Sequence, residues 1–381
     1  MERLELIATT TFGLEAVVKR ELIDLGFEVL RTEDGKVTFA TDASGLVRAN
    51  LWLRAADRVL LKVGEFRAVT FDELFDQTQG LDWGQYLPAD ACFPVNGKSV
   101  KSILFSISDS QAIVKKAIVE SLKKRYDISW FPEAGAEYTI QVSLLNDIAT
   151  ITIDTSGVAL HKRGYRIRPV AAPLKETLAA AMILLSYWRK DRILYDVFCG
   201  SGTIVIEAAM IGRNIAPGLK RDFAARHWPW IGEAVWQTEI EKAEQAIDRD
   251  SPIRMVASDL DPASIEAARQ NAEAAGVGDC ITFTCQDFRD VDYHDEYGIL
   301  IANPPYGERL TENVDLKSLY EDLRPIVRKL PTWSIYILTS YEGFTNLFNR
   351  KPDRERKLYN GNIEVRYYQY YGPRPPREAS K

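Results

Sequence analysis

Between residues 193 and 339 the chain alternates short apolar runs with helical stretches, and that alternation restricts its fold more than any other feature. The runs are Ile193-Leu-Tyr-Asp-Val-Phe, Met255-Val-Ala-Ser, Ile281-Thr-Phe, Ile299-Leu-Ile-Ala and Ser334-Ile-Tyr-Ile-Leu-Thr. Strands that are apolar on both faces and separated by helices need cover on both sides, which is the pattern of a parallel, doubly wound α/β sheet. A last strand, Ile363 to Tyr370, follows another strand-like stretch after only a Tyr-Asn-Gly-Asn turn, so it is expected to be antiparallel.

The N-terminal part has a different rhythm. Residues 1–60 begin strand, helix, strand, with Leu14, Val17, Val18, Leu22 and Leu25 at helical spacing. From 44 to 160 the pattern is mixed α and β. Its one clear helix, Gln111 to Lys124, turns Val114, Ala117, Ile118, Ser121 and Leu122 inward and leaves Lys115, Lys116, Lys123 and Lys124 outside. Two alternating strands follow, Tyr138 to Leu144 and Ile148 to Asp154. The charged stretch His161-Lys-Arg-Gly-Tyr-Arg-Ile-Arg-Pro marks a linker over 161–172, and the sheet domain occupies 173–381. The 381 residues suffice for two or three domains with cores of their own, and 46% hydrophobic with 27% charged residues is an ordinary globular balance.

The strongest local signal is Asp196-Val-Phe-Cys-Gly-Ser-Gly-Thr-Ile-Val-Ile-Glu. A buried strand ends in a glycine turn and enters a helix directly, so Gly200 and Gly202 allow a ligand to approach the backbone at a switch in strand order. A dinucleotide fingerprint would place a third glycine at position 205, where this chain has Val205, so NAD is disfavoured. Asp259 ends the second strand and can accept both hydroxyls of a ribose. Asp261, followed by Pro262, is expected to cap the helix Pro262 to Ala275 instead. Asp287 follows the third strand, where it can accept from an adenine amine while Phe288 covers the ring. Three acids, Asp196, Asp259 and Asp287, at three consecutive strand ends suit a ligand with amine, ribose and adenine groups, namely S-adenosylmethionine.

The fourth strand runs into Asn303-Pro304-Pro305-Tyr306. Two prolines fix the backbone and remove two donors, leaving carbonyls as rigid acceptors. An exocyclic amine of a nucleobase is a poor nucleophile because its lone pair is delocalised. If the Asn303 side-chain oxygen and the Pro304 carbonyl accept its hydrogens, the nitrogen can pyramidalise toward a methyl group. Tyr306 would stack on a base that is unpaired or flipped out. Methylation of pyrimidine carbon would need a cysteine nucleophile, and no cysteine lies near Asn303 in sequence.

At this point the chain resembles the bacterial THUMP-domain 23S rRNA guanine-N2 methyltransferases, a family often labelled N6-adenine-specific DNA methylase. The resemblance rests on Thr11-Phe-Gly-Leu-Glu-Ala-Val-Val-Lys-Arg-Glu-Leu, His161-Lys-Arg-Gly-Tyr-Arg, Ala172-Pro-Leu-Lys-Glu-Thr-Leu-Ala, Asn303-Pro-Pro-Tyr-Gly-Glu-Arg and Leu358-Tyr-Asn-Gly-Asn-Ile, and it spans nearly the whole chain. It implies a ferredoxin-like piece over 1–60, a THUMP RNA-binding domain over 44–160 and a Rossmann-like methyltransferase domain over 173–381 that uses S-adenosylmethionine. By motif, Asp196, Phe198, Gly200 and Gly202 would line the cofactor turn, Asp259 the ribose, Asp287 the adenine, and Asn303 to Tyr306 the target base. Thr177, in the stretch resembling the helix over the methionine end, is a weaker candidate. Longer relatives fuse a second methyltransferase domain, whose activity is not expected here.

Charge agrees with an RNA partner only locally. Residues 98–168 hold 11 Lys/Arg against 7 acids in a chain of net charge −6. Lys98, Lys101, Lys115, Lys116, Lys123, Lys124, Lys162, Arg163 and Arg166 are therefore the candidate RNA contacts. Four cysteines without C-x-x-C spacing and three histidines support neither a disulfide framework nor a metal site. The N-terminus lacks a signal-peptide core, and the longest apolar stretch, Leu178 to Leu185, is too short to span a bilayer, so a cytoplasmic protein without a membrane partner is expected. The leading expectation is methylation of guanine N2 in 23S rRNA. The alternatives are guanine N2 in tRNA, adenine N6, and an RNA-binding assembly factor without turnover. The three tryptophans Trp228, Trp230 and Trp236 after Ala216 are expected to be core rather than a base-stacking platform.

Overall fold

The computed structural model describes residues 3–167, 173–305 and 316–376. The chain forms two compact units, one from the residues up to Thr10, Val18–Leu160 and Asp222–Lys242, the other from Thr11–Val17, His161–Arg221 and Ala243 onward.

The first unit carries a seven-stranded sheet. Its elements are β1 (Leu4–Thr9), α1 (Glu15–Asp24, from Val18 onward), β2 (Glu28–Glu33), β3 (Lys36–Thr41), α2 (Ala43–Trp52), β4 (Arg58–Arg67), α3 (Phe71–Gln79), β5 (Val95–Val100), α4 (Ile107–Tyr126), β6 (Ile140–Leu145) and β7 (Ile148–Asp154). The strand order is β2-β3-β1-β4-β7-β6-β5. Strand β4 sits centrally in this sheet. Its residues Arg58 to Leu61 pair with β1 on one edge (Leu6 with Leu61), its residues Leu60 to Arg67 pair with β7 on the other (Leu60 with Asp154, Arg67 with Ile148), and a bulge lies between Lys62 and Gly64. One ten-residue strand therefore joins the two halves of a continuous sheet.

Helix α4 buries Val114, Ala117, Ile118 and Leu122, as its spacing predicts, and runs from an N-cap at Ser106 to a last turn with Lys123, Lys124 and Arg125, where cations complement the helix dipole. The segment Asp222–Lys242 also belongs to this unit, which differs from a continuous domain over 173–381. Trp228 stacks on Tyr138 with ring centroids 4.6 Å apart, and its indole N–H donates to the Glu137 carbonyl at 3.0 Å. Trp236 stacks on Phe223, and Ser44 donates to the Glu239 carboxylate at 2.9 Å. Trp228 and Trp236 are buried and Trp230 half-buried, so these side chains are packing, as expected.

In the second unit the elements are α5 (Glu176–Leu184), β8 (Leu194–Asp196), α6 (Thr203–Gly212), the end of α7 (Glu233–Gln245), β9 (Met255–Asp259), α8 (Pro262–Ala275), β10 (Ile281–Cys285), β11 (Ile299–Ala302), α9 (Leu316–Arg328), β12 (Ser334–Thr339), α10 (Phe344–Phe348), β13 (Arg354–Asn360) and β14 (Ile363–Tyr370). The order is β10-β9-β8-β11-β12-β14-β13. Strands β8 to β12 are parallel and β14 is antiparallel to β12, matching the expected α/β class. Strand β8 is only three residues long because the backbone leaves the sheet at Asp196 to make the glycine turn. Strand order reverses between β8 and β11, which opens a crevice at their carboxyl ends. Helix α8 begins as predicted, with the Asp261 carboxylate accepting from the Ala263 and Ser264 N–H groups and Pro262 in the first turn.

Candidate active site

The carboxyl ends of β8, β9, β10 and β11 surround one cavity of about 600 Å³. Its lining includes Asp196, Phe198, Gly200, Asp259, Asp287, Phe288, Asn303 and Pro305. The predicted strand-end residues therefore converge, although they come from four separate strands and span more than a hundred positions.

The glycine turn has a local reason for each glycine. Gly200 has φ +49° and Gly202 has φ +81°, the left-handed region that side chains resist. A Cβ at Gly202 would lie 3.1 Å from Ala268 Cβ of α8, whereas one at Gly200 would meet nothing within 4 Å. Gly202 thus permits close packing of α6 on α8, and Gly200 leaves the backbone open toward the cavity. Asp259 joins the turn to β9, because one carboxylate oxygen accepts from the Gly200 N–H at 2.9 Å and the other from the Asp261 N–H at 3.0 Å.

Asp196 is buried at 1% exposure. One of its oxygens accepts from the Phe198 N–H at 3.2 Å, and the other has no hydrogen-bond partner among the described residues. Burial pushes its carboxyl up to about 8, against the Phe198 N–H and with the Asp259 charge adding to the rise. A cationic group is the natural partner for such an oxygen. Asp287 is arranged differently: its oxygens accept from the Arg289 N–H at 2.8 Å and from the Arg289 guanidinium at 2.7 Å. Arg289 also lies over the Phe288 ring, 4.8 Å from its centroid, and pairs with Asp322 of α9 at 2.7 Å. The Phe198 and Phe288 rings are 5.0 Å apart and form an aromatic wall.

Asn303 follows β11 directly and is 6% exposed, and its side-chain oxygen is buried without a partner among the described residues. Pro304 is buried and Pro305 lines the cavity. Tyr306 lies outside the described residues. Cys199 also lines the cavity, but burial holds its thiol well above the ordinary range, so it is not poised as a thiolate nucleophile.

Other expected residues fall elsewhere. Thr177 is buried in α5 away from the cavity lining, where Pro173 and Leu174 stand instead. Of the basic residues, Lys98 on the outermost strand β5 and Lys162 are exposed, and Lys101 sits in the loop after β5 with φ +50°. Lys115 is engaged within the protein, donating to the Phe93 carbonyl at 2.9 Å and to Glu133 at 2.7 Å. Lys123 pairs with Glu120 at 2.8 Å, Lys124 reaches Gln79 at 3.5 Å, and Lys116 lies over the Phe75 ring. Arg163 and Arg166 are corrections to the RNA-contact reading. The Arg163 side chain is 2% exposed against a fully buried Glu207, and that of Arg166 is 15% exposed against Glu176. Sequence reasoning missed Leu260, Gln286, Arg289 and Leu319 of the lining. For Leu260, 66% exposed in the structure, the available signal was an apolar residue immediately after the strand-end acid.

Among the described residues no group of His, Cys, Asp and Glu could hold a metal ion, and no helix is long and apolar enough to cross a membrane.

Comparison with known proteins bears on this geometry. The family model described as RMKL-like, methyltransferase domain matches residues 163–369, the RlmL ferredoxin-like domain matches 5–60 and the THUMP domain matches 68–154. The chain is 48% identical over 384 residues to "Putative RNA methyltransferase YpsC" of Bacillus subtilis, covering all of both proteins. It is 35% identical to "Ribosomal RNA large subunit methyltransferase K/L" of Hahella chejuensis over all of this chain and 55% of that one, so it spans about half the length of such relatives. A crystal structure described as "a predicted N6-adenine-specific DNA methylase" from Listeria monocytogenes superposes with TM-score 0.93 at 50% identity, covering 98% of this chain and 97% of that one. The structure of SMU.472 complexed with SAH gives TM-score 0.93 at 44% identity, covering 99% and 100%. The match across the sheet domain and the full-length likeness to YpsC together show that the chain belongs to the RMKL-like methyltransferase family, with RlmL ferredoxin-like and THUMP domains ahead of its methyltransferase domain.

Proposed function

We propose that this chain is an S-adenosylmethionine-dependent RNA methyltransferase acting on the exocyclic N2 amine of a guanine in 23S rRNA. The observation that carries the reading is the buried side-chain oxygen of Asn303, without a partner among the described residues, in the lining of a cavity whose other strand ends are acidic. A buried acceptor without a donor is unfavourable unless a ligand supplies one, and an amino group of a base is such a donor.

The cavity suits the cofactor on its own chemistry. The Asp196 oxygen that has no partner among the described residues is ready for an ammonium group, Asp259 for the hydroxyls of a ribose, and Asp287 with Phe288 for the amine and face of an adenine. When bound, S-adenosylmethionine supplies a methyl group on a cationic sulfur. The chain's own residues do the rest. Asn303 accepts a hydrogen bond from the target amine, the rigid Pro304-Pro305 turn holds that acceptor in place, and the amine's lone pair is aimed rather than spread into the ring; the proton that the methylated nitrogen sheds passes to water. No covalent intermediate with the protein is needed, consistent with a Cys199 thiol kept protonated by burial.

RNA as the substrate is supported by the THUMP match and by the names of the relatives, and guanine N2 in 23S rRNA by the family resemblance. The name of the Listeria structure favours a second reading, adenine N6, which the same Asn303 chemistry would serve. The test is incubation with isotope-labelled S-adenosylmethionine and separate pools of unmodified rRNA, tRNA and DNA, followed by mass spectrometry of nucleosides. Labelled N2-methylguanosine from rRNA supports the proposal, the same product from tRNA alone changes the substrate, and labelled N6-methyladenine overturns the choice of base.

A further inference from the structure

The charged stretch Arg163-Gly-Tyr-Arg166 has no surface role in the site just described, yet its side chains are turned into the methyltransferase unit. The Arg163 guanidinium donates to both oxygens of Glu207 on α6, at 3.4 and 3.5 Å, and the Tyr165 hydroxyl donates to the same carboxylate at 3.2 Å. Arg166 reaches further along α6 to the glycine turn itself. It donates to Ser201 Oγ at 2.9 Å, to Thr203 Oγ1 at 3.2 Å, to the Leu174 carbonyl at 3.3 Å and to Glu176 Oε1 at 2.9 Å. A second route runs through Asn271, buried at 1% exposure, which accepts from the Ile167 N–H at 3.0 Å and donates to the Ser201 carbonyl at 3.1 Å. Ser201, Thr203 and Leu174 all line the cavity.

We propose that Arg166 is a positioning residue for the cofactor: it holds the turn through the Ser201 and Thr203 hydroxyls and the Pro173-Leu174 wall through the Leu174 carbonyl, so that the first residues of the methyltransferase unit set cofactor affinity. Asp259 holds the turn from one side through the Gly200 N–H, and Arg166 holds it from the other through two hydroxyls. A planar guanidinium with five donors can satisfy four acceptors at once, and the Lys ammonium cannot match that fork. With Glu176 as counter-charge, the group is held in place at 15% side-chain exposure. A turn held at both ends before the ligand arrives loses less entropy on binding.

The inference rests on the assignment of the cavity to the cofactor, and the experiment separates the two. Binding of S-adenosylhomocysteine to full-length protein is measured by calorimetry for wild type, Asp259→Ala, Arg166→Gln and Arg166→Lys. Arg166→Gln is expected to weaken binding by at least about tenfold, the scale of charged hydrogen bonds lost, with Arg166→Lys intermediate. Its KM for S-adenosylmethionine should rise far more than its kcat falls. Amide exchange at residues 201–203 in the cofactor-free protein should quicken, and the salt dependence of RNA binding should stay as in wild type. If Asp259→Ala weakens binding and Arg166→Gln does not, the proposal is overturned. If neither does, the cavity assignment fails and the proposal with it. A salt slope that falls by about one in Arg166→Gln while cofactor binding is unchanged would make Arg166 a phosphate contact instead. Should Arg166→Gln not fold, the double variant Ser201→Ala/Thr203→Val removes the turn-side acceptors and leaves the Arg166–Glu176 pair; wild-type affinity in that variant overturns the proposal.

Discussion

S-adenosylhomocysteine binding at pH 7 should release close to one proton, and Asp196→Asn should abolish that release. Burial pushes the Asp196 carboxyl up to about 8, so at pH 7 it is about nine-tenths protonated. An ammonium group set against the oxygen that has no partner among the described residues restores an ordinary carboxylate, and the protein gives up about 0.9 proton per ligand bound. Calorimetry in buffers of different ionisation enthalpy reads this number directly. Below pH 8 the affinity should climb with pH and then level off. The sign for stability runs the other way. Between the ordinary value of 3.8 and about 8 the native state holds a proton that the unfolded state has lost. The resulting stabilisation is fully present below 3.8 and is lost as pH rises through 8, and Asp196→Asn should flatten that slope in cofactor-free protein. A proton count near zero for wild type, or equal release from the variant, would refute the electrostatic account of Asp196.

Three further outcomes are expected. Asn303→Ala should lower kcat by on the order of 100-fold or more, the scale of a lost polar group at a reacting centre, while calorimetry shows cofactor affinity within about twofold; an equal collapse of affinity would place Asn303 in the cofactor site. Asp259→Ala should weaken S-adenosylhomocysteine binding by about 1.5–3 kcal/mol, because it loses charged hydrogen bonds and frees the Gly200 N–H; unchanged binding would remove Asp259 from the ribose. Replacing Lys115, Lys116, Lys123 and Lys124 together should reduce the salt slope of RNA binding by less than the roughly 0.9 per residue of full phosphate contacts, since Lys115 and Lys123 already face Glu133 and Glu120. An unaltered slope would make α4 a solvated face.

The sheet domain was legible because its signals are local. Asp261-Pro262 with Ile265, Ala268, Ala272 and Ala275 announces α8, and Ile299–Ala302 and Ser334–Thr339 are strands with the predicted bounds. The first sheet was less so. Val95-Asn-Gly-Lys-Ser-Val forms the edge strand β5 with side chains only half covered or exposed, so its sequence carries no apolar run. The dense charge of residues 161–168 reads as surface from sequence alone, whereas the burial of Arg163 depends on Glu207, 44 residues away. The convergence of Asp196, Asp259, Asp287 and Asn303 on one cavity was legible because each stands at or just past the carboxyl end of a strand. Arg289 was not, since its partner Asp322 lies on α9, 33 positions on.

The Trp228 ring lies on Tyr138, ninety positions earlier in the chain, and this has a consequence for synthesis. The N-terminal unit cannot close over Tyr138 when residue 160 leaves the ribosome, because its cover arrives only with residues 222–242. During elongation the nascent chain must hold an aromatic face open while much of the first α/β layer of the methyltransferase unit is made. An excised fragment of residues 1–160 would present that same face to solvent, and the natural cut for an independent RNA-binding piece would have to carry the later segment with it.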